Sequence, residues 1–196
     1  MGKYNFGPIE RLNQSLEKYG IDKDIHKKIM ESGESIKGKS TQEEKAEWCF
    51  NAMNLMDDLL DENTRNKVRE DCACLTGGTR EKFCKKINKD YSSTEERIKA
   101  VNESHYIFGH EIKITGKGKY EVYFFDESIP EKRCSCLNGR LHCINKKWSK
   151  TWCYCCAGHV KQHLETILGK KVEVKIIASA LTSMGKKSCH FKLNEI

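Results

Sequence analysis

Residues 151–160, TWCYCCAGHV, hold Cys153, Cys155, Cys156 and His159 within seven positions. Thiolates and imidazoles are ligands for zinc-type metals, and a thiolate is also a nucleophile. The chain has 11 cysteines, and most fall into two groups. The first is Cys72-x-Cys74 followed by Cys84; the second runs Cys134-x-Cys136, Cys143, Cys153-x-Cys155-Cys156. On an extended segment a C-x-C pair presents both thiols on one face, because side chains alternate. Cys134, Cys136, Cys153 and Cys155 would then supply four thiolates, a set that suits tetrahedral zinc and, as an alternative, an iron–sulfur cluster. Cys72, Cys74 and Cys84 do not close a site alone. They can join a cysteine of the second group and tie the two halves of the chain together.

The spacing also allows nucleophilic chemistry. Cys153 and Cys155 are expected just ahead of a helix starting near Ala157, where the helix N-terminus lowers a thiol pKa. Cys155 and His159 stand four residues apart, one helical turn, so a thiolate attack by Cys155 with His159 as base is the competing reading. His163 lies a further turn along and can add a ligand. Cys156 is expected to pack, and Cys143 and Cys189 fit as core residues of a sheet.

The elements that must position these groups change character halfway. PIERLNQSLEKYG predicts a helix opened by Pro8 and closed by Gly20, with Ile9, Leu12, Leu16 and Tyr19 on one face. Thr41 with Glu44 and Ser93 with Glu96 are capping boxes opening two more helices. Further helical stretches cover RNKVREDCACL and TREKFCKKINKD, separated by Gly77-Gly78. From His105 onward, HYIFGHEIKIT and YEVYFFDE, joined by GKGK, read as a β-hairpin. The cysteine-rich stretch follows, then an amphipathic helix with Val160, Leu164, Ile167 and Leu168 on its stripe, stopped by Gly169. KKVEVKIIAS and KSCHFKLNEI are the last strands. The expected fold is α+β: a helical region 1–104, then residues 105–196 as β-β-cysteine region-α-β-β, an antiparallel sheet packed by helices.

Charged residues make up 32% of the chain, and no apolar run approaches the ~18 residues of a membrane span. MGKYNFGPIE lacks the apolar core of an export signal. An odd cysteine count with no such signal points to the cytoplasm and to metal or redox work. The net charge of +7 is spread as lysine pairs rather than as a stripe. Lys146, Lys147, Trp148, Lys150 and Trp152 interleave basic and aromatic residues in a way that suits single-stranded nucleic acid, a partner ranked last here.

WCYCCAGHVKQHLETILGKKVEVKIIASALTSMGKKSCHFKL resembles the C-terminal signature of the 4-vinyl reductase-type ligand-binding domains and of the L-2-amino-thiazoline-4-carboxylate hydrolase-like proteins. The matching positions are Cys153, Cys155, Gly158, Leu168-Gly169, Val172-Glu173-Val174, Gly185 and Cys189-His190-Phe191. The resemblance covers the last third of the chain, and EDCACLTGGTREKFC places it in a cysteine-rich bacterial branch. It implies an α+β domain with a small-molecule pocket. The chain departs from the pattern in having no cysteine between Cys156 and Cys189. The expectation is therefore a cytoplasmic protein binding zinc, or an iron–sulfur cluster, that binds or senses a small molecule, with a homodimer admitted. The alternatives are a thiol-dependent hydrolase of the amino-thiazoline kind using Cys155 and His159, and a zinc-ribbon-like nucleic-acid binder.

Overall fold

A computed structural model describes residues 3–74, 78–130, 132, 134 and 146–196. Seven α-helices occur among them: α1 (Gly7–Lys18), α2 (Lys23–Ile29), α3 (Gln42–Leu59), α4 (Glu62–Asp71), α5 (Thr79–Asp90), α6 (Thr94–Ser104) and α7 (Tyr154–Leu168). Four strands, β1 (Glu111–Gly116), β2 (Lys119–Tyr123), β3 (Val172–Ala178) and β4 (His190–Glu195), form one antiparallel sheet in the order β1-β2-β4-β3. The architecture is α+β, with helices filling the N-terminal half.

Local sequence explains most helix boundaries. Thr41 and Ser93 accept from the N–H groups of Glu44 and Glu96, whose side chains return the bond, so both capping boxes form. Gly169 closes α7 in the left-handed region at φ 70°, where a side chain would be strained. Tyr19 leaves the apolar face of α1: it is the C-cap residue and is 40% exposed.

The strands are shorter than expected. His105 caps α6 at φ 49°, and residues 105–110 form a turn in place of a strand. There the Asn102 side chain bonds both N–H and C=O of Ile112, holding the sheet edge against α6. Lys117-Gly118 makes the two-residue hairpin turn between Gly116 and Lys119, with Gly118 at φ 66°. Alternation along β2 and β4 buries Tyr120, Val122, Phe191 and Leu193 and leaves Lys119, Lys192 and Asn194 outside.

Helix α7 lies between the sheet and the N-terminal helices, packing on β3 and β4 on one side and on α4, α5 and α6 on the other. Nine of its fifteen residues are consequently buried, including Gly158, His159 and His163. One hydrophobic cluster, from Tyr4 and Ile9 through Met53, Val68 and Leu164 to Leu193, spans both halves of the chain.

Candidate functional site

Helix α7 begins at Tyr154, earlier than the sequence implies, and a 3₁₀ turn, Lys150–Cys153, leads into it. Cys153 therefore has helical backbone, φ −71° and ψ −14°. Two residues apart on such backbone are ~200° apart around the axis, so Cys153 and Cys155 do not share a face. That corrects the extended C-x-C expectation at this pair. The Cys153 thiol donates to Ser179 Oγ at 3.1 Å, beside Cys189, whose Sγ accepts from the Ala180 N–H at 3.4 Å. Cys155 faces the opposite way, toward the loop after α4.

That loop carries the first cysteine group. Cys72 ends α4, and its thiol donates to the carbonyl of Val68 at 3.2 Å. Cys74 is exposed as a residue, but its sulfur is turned to a hydrogen bond with Cys155. Arg11 from α1 binds this loop twice, donating through Nε to the Cys72 carbonyl at 3.3 Å and through Nη2 to Cys74 Sγ at 3.2 Å. Arg69, 2% exposed, lies over the Trp152 ring at 4.5 Å and donates to the Trp152 carbonyl at 3.2 Å. Pro8, Arg11, Arg69, Cys72, Cys74, Trp152 and Cys155 line a cavity of ≈ 30 Å³. Cys72 and Cys74 thus meet Cys155 across more than eighty residues of sequence.

The other candidates lie elsewhere. Cys84 is fully buried in α5 and does not line the cavity; burial pushes its thiol up to about 12. Cys134 is buried, and Cys156 is half-buried at the core margin. Cys136 and Cys143 lie outside the described residues. Among the described residues, no group of three or more His, Cys, Asp or Glu side chains is arranged to hold a metal ion.

The electrostatics favour one shared charge on the thiol pair. The Cys74 thiol is pushed far above the usual range, first by its hydrogen bond with Cys155, then by burial of the sulfur and by negative charge on Cys155; Arg11 and Arg69 oppose this. Cys155 sits in the first turn of α7, where the unpaired N–H groups favour an anion. The Cys72 thiol is raised by burial, again opposed by Arg69 and Arg11. The two protons of Cys74 and Cys155 titrate as a property of the pair.

His159 is buried, with Nε2 3.5 Å from the Ile107 carbonyl, its ring edge-on to Phe108 and to His163, and a further bond to the Cys74 backbone. This arrangement braces the Cys74 loop. His163 is 3% exposed, and among the described residues its Nε2 has no hydrogen-bond partner. Burial first, then the neighbouring His159 and Arg80, lower its pKa from 6.5 to about 4. The folded state therefore binds His163 as the neutral ring, and its contribution to stability is complete above pH 6.5 and disappears as the pH falls toward 4. Between about pH 7 and pH 5 this costs about 2 kcal/mol. Urea midpoints at the two pH values should differ accordingly, and His163→Leu should flatten the difference.

Gly158 brings α4 and α7 together. A Cβ there would stand 2.1 Å from the Glu70 carbonyl oxygen. Only glycine lets the two backbones approach closely enough to set Cys72 and Cys74 beside Cys155. Arg11 and Arg69 carry no signal in the sequence that links them to the cysteines; folding alone brings them to the cavity. Trp148 and Trp152, expected as possible base-stacking residues, are each 4% exposed; Trp148 packs edge-on to Phe50 and Trp152 packs against Trp148 in the core. Their rings are not available to a nucleic acid, which removes the basis of that expectation. No helix among the described residues is long and apolar enough to cross a membrane.

No curated protein and no solved structure matches the chain. A family model does match, over residues 13–195, and its description is a family of unknown function, DUF6144. The matched span takes in α4, α7, all four strands and every cysteine, and the chain belongs to the DUF6144 family.

Proposed function

We propose that this protein is a thiol-based redox protein whose working group is the Cys74–Cys155 dithiol. The observation that carries this reading is the sulfur–sulfur hydrogen bond between an exposed residue and a helix N-terminus, under two guanidinium groups. When the shared proton crosses to Cys155, the charge sits on Cys74, held by Arg11 on a residue that reaches the surface. Cys74 then attacks a disulfide of an oxidised partner; an S–S bond forms to one partner sulfur and the other leaves as a thiolate. Cys155, giving up its proton to that leaving group, attacks Cys74. The products are a Cys74–Cys155 disulfide and a reduced dithiol.

The thiolate–metal reading stands beside it as a second proposal, favoured by three cysteines lining one cavity. Zinc would be the ion, with an iron–sulfur cluster as the alternative. The guanidinium groups of Arg11 and Arg69 at the same cavity weigh against a cation, since like charges repel in a dry site. The hydrolase reading loses support because His159 is engaged with carbonyl groups rather than set to serve Cys155.

Oxidation with a neutral cyclic disulfide, followed by alkylation and peptide mapping, tests the proposal. Cys74 and Cys155 should disappear together from the free-thiol pool. Closing a loop of roughly eighty residues should raise unfolding stability by about 4 kcal/mol, and Cys74→Ser or Cys155→Ser should abolish both effects. Near-stoichiometric zinc that is lost in Cys74→Ser, with no disulfide formed, would overturn the redox reading in favour of the metal one.

A further inference from the structure

Beside Cys74 lies a surface that the thiol chemistry leaves unused. The His159 ring ties two segments together, reaching the Ile107 carbonyl at 3.5 Å and the Cys74 backbone. The loop 105–110 is thereby a neighbour of Cys74. It is firmly held: His105 is left-handed at φ 49°, its Nδ1 lies 3.0 Å from the His110 carbonyl oxygen, and Ile107 and Phe108 are buried. Between His105 and Ile107 stands Tyr106, 43% exposed. From α5, Phe83 meets the Tyr106 ring edge-on at 5.6 Å, and the Arg80 guanidinium lies 5.8 Å from its centroid. The Arg80 charge reaches the buried His159 and His163. Among the described residues Arg80 has no carboxylate partner; Glu81, the next residue, is paired with Lys85.

We propose that Arg80, Tyr106 and Phe83 form the docking surface for the oxidised partner, and that this partner is a protein segment with carboxylates beside its disulfide. The inference rests on the redox reading of Cys74 and deepens it by naming the substrate class. The charge argument is direct: Arg80 is a cation without a carboxylate, and Arg11 brings a second cation to the Cys74 sulfur itself. An acidic side chain near the attacked disulfide gains from both, whereas a neutral or cationic one gains nothing. The aromatic argument selects a protein. Tyrosine and arginine are the side chains that dominate protein–protein contacts, because a rigid ring supplies area at little entropic cost. The Tyr106 ring is already placed by Phe83 and Arg80, so little freedom remains for docking to remove. The bonds His159 makes to both segments keep this surface and the thiol in one fixed arrangement.

The experiment uses the full reduced chain without oxygen and three oxidants: a disulfide-bridged peptide with Glu beside each cysteine, the same peptide with Gln, and a neutral cyclic disulfide. Closure of the Cys74–Cys155 pair is followed by alkylation and mass spectrometry, and each peptide rate is divided by the rate with the neutral disulfide. At low salt the Glu peptide should react about three- to fivefold faster than the Gln peptide, the gain of one exposed ion pair. The advantage should shrink as salt is raised. Arg80→Gln should remove it and leave the Gln-peptide ratio unchanged. Tyr106→Ala should lower both peptide ratios about tenfold, the loss expected of an aromatic anchor. Equal rates for the two peptides, or a Glu advantage that survives Arg80→Gln, overturn the inference and leave the redox reading standing. Unchanged peptide ratios in Tyr106→Ala also overturn it, since a small acidic disulfide would then serve as well as a protein. A pair that closes with none of the three oxidants overturns both.

Discussion

Gly158→Ala should be among the most damaging single-methyl additions in this protein. The new Cβ would meet the Glu70 carbonyl oxygen at 2.1 Å, and that oxygen belongs to backbone, so no side chain can rotate out of the way. Either α7 or α4 must move. Both are tied at other points: α4 by Ser15, whose hydroxyl donates to the Val68 carbonyl, and α7 by its packing on β3 and α5. Overpacking a tight core typically costs 1–3 kcal/mol, and a backbone contact this short puts the expected cost at about 3 kcal/mol or more. For a chain of this size that is a fall in Tm of roughly 6–12 °C. The same shift would draw Cys74 away from Cys155. Variant protein kept at low temperature should therefore form the Cys74–Cys155 disulfide at least several times more slowly than the parent. A variant with unchanged Tm and unchanged closure rate would mean that the α4–α7 contact is looser than described.

Arg97→Ala should have a similar effect on stability by a different cause. The Arg97 guanidinium donates to three helix-end carbonyls at once: Tyr91 at 2.9 Å, Leu168 at 2.9 Å and Asn88 at 3.0 Å. It thereby closes the C-termini of α5 and α7 with one side chain of α6. Asn88 adds a bond from its Nδ2 to the Ile167 carbonyl at 2.9 Å. A cation at two helix C-termini also sits at the negative ends of both dipoles. Bonds to a charged donor are worth about 1.5–3 kcal/mol each, but the site is half-exposed and water replaces part of that. The expected net loss is about 3 kcal/mol. Arg97→Lys should recover little, because an ammonium cannot span three carbonyls in the plane that the guanidinium fork reaches. Denaturant unfolding of the two variants checks this; a lysine variant as stable as the parent would show that charge alone matters here. Neither variant touches the thiols, so the disulfide of Arg97→Ala should still form.

Much of the architecture was legible in the linear chain, because its causes are local. The capping boxes at Thr41 and Ser93, the glycine stop at Gly169, the hairpin turn at Lys117-Gly118 and the alternation in β2 and β4 depend on residues within four positions of one another. So does the change from helix to strand near His105, although the strand itself starts only at Glu111. The residues HYIFGH have strand-like composition, yet the left-handed cap at His105 and the burial of Ile107 and Phe108 turn them into a loop.

The site was legible as a list of residue types and not as an arrangement. The cysteines advertised thiol chemistry, and the possibility that Cys72 and Cys74 meet the second group was open from their number alone. Which cysteines meet was decided by helix phase and by one close helix crossing. An extra turn of helical backbone at Lys150–Cys153 rotates Cys153 toward Ser179 and Cys155 toward Cys74. Gly158, readable in sequence only as a small residue in a helix, permits the crossing. Arg11 and Arg69 read as surface charges in two amphipathic helices; burial against the cysteine loop and Trp152 turns them into the electrostatics of the cavity. Local propensity sets each element. Long-range packing sets which side chains share a cavity, and nothing short of the folded chain specifies that.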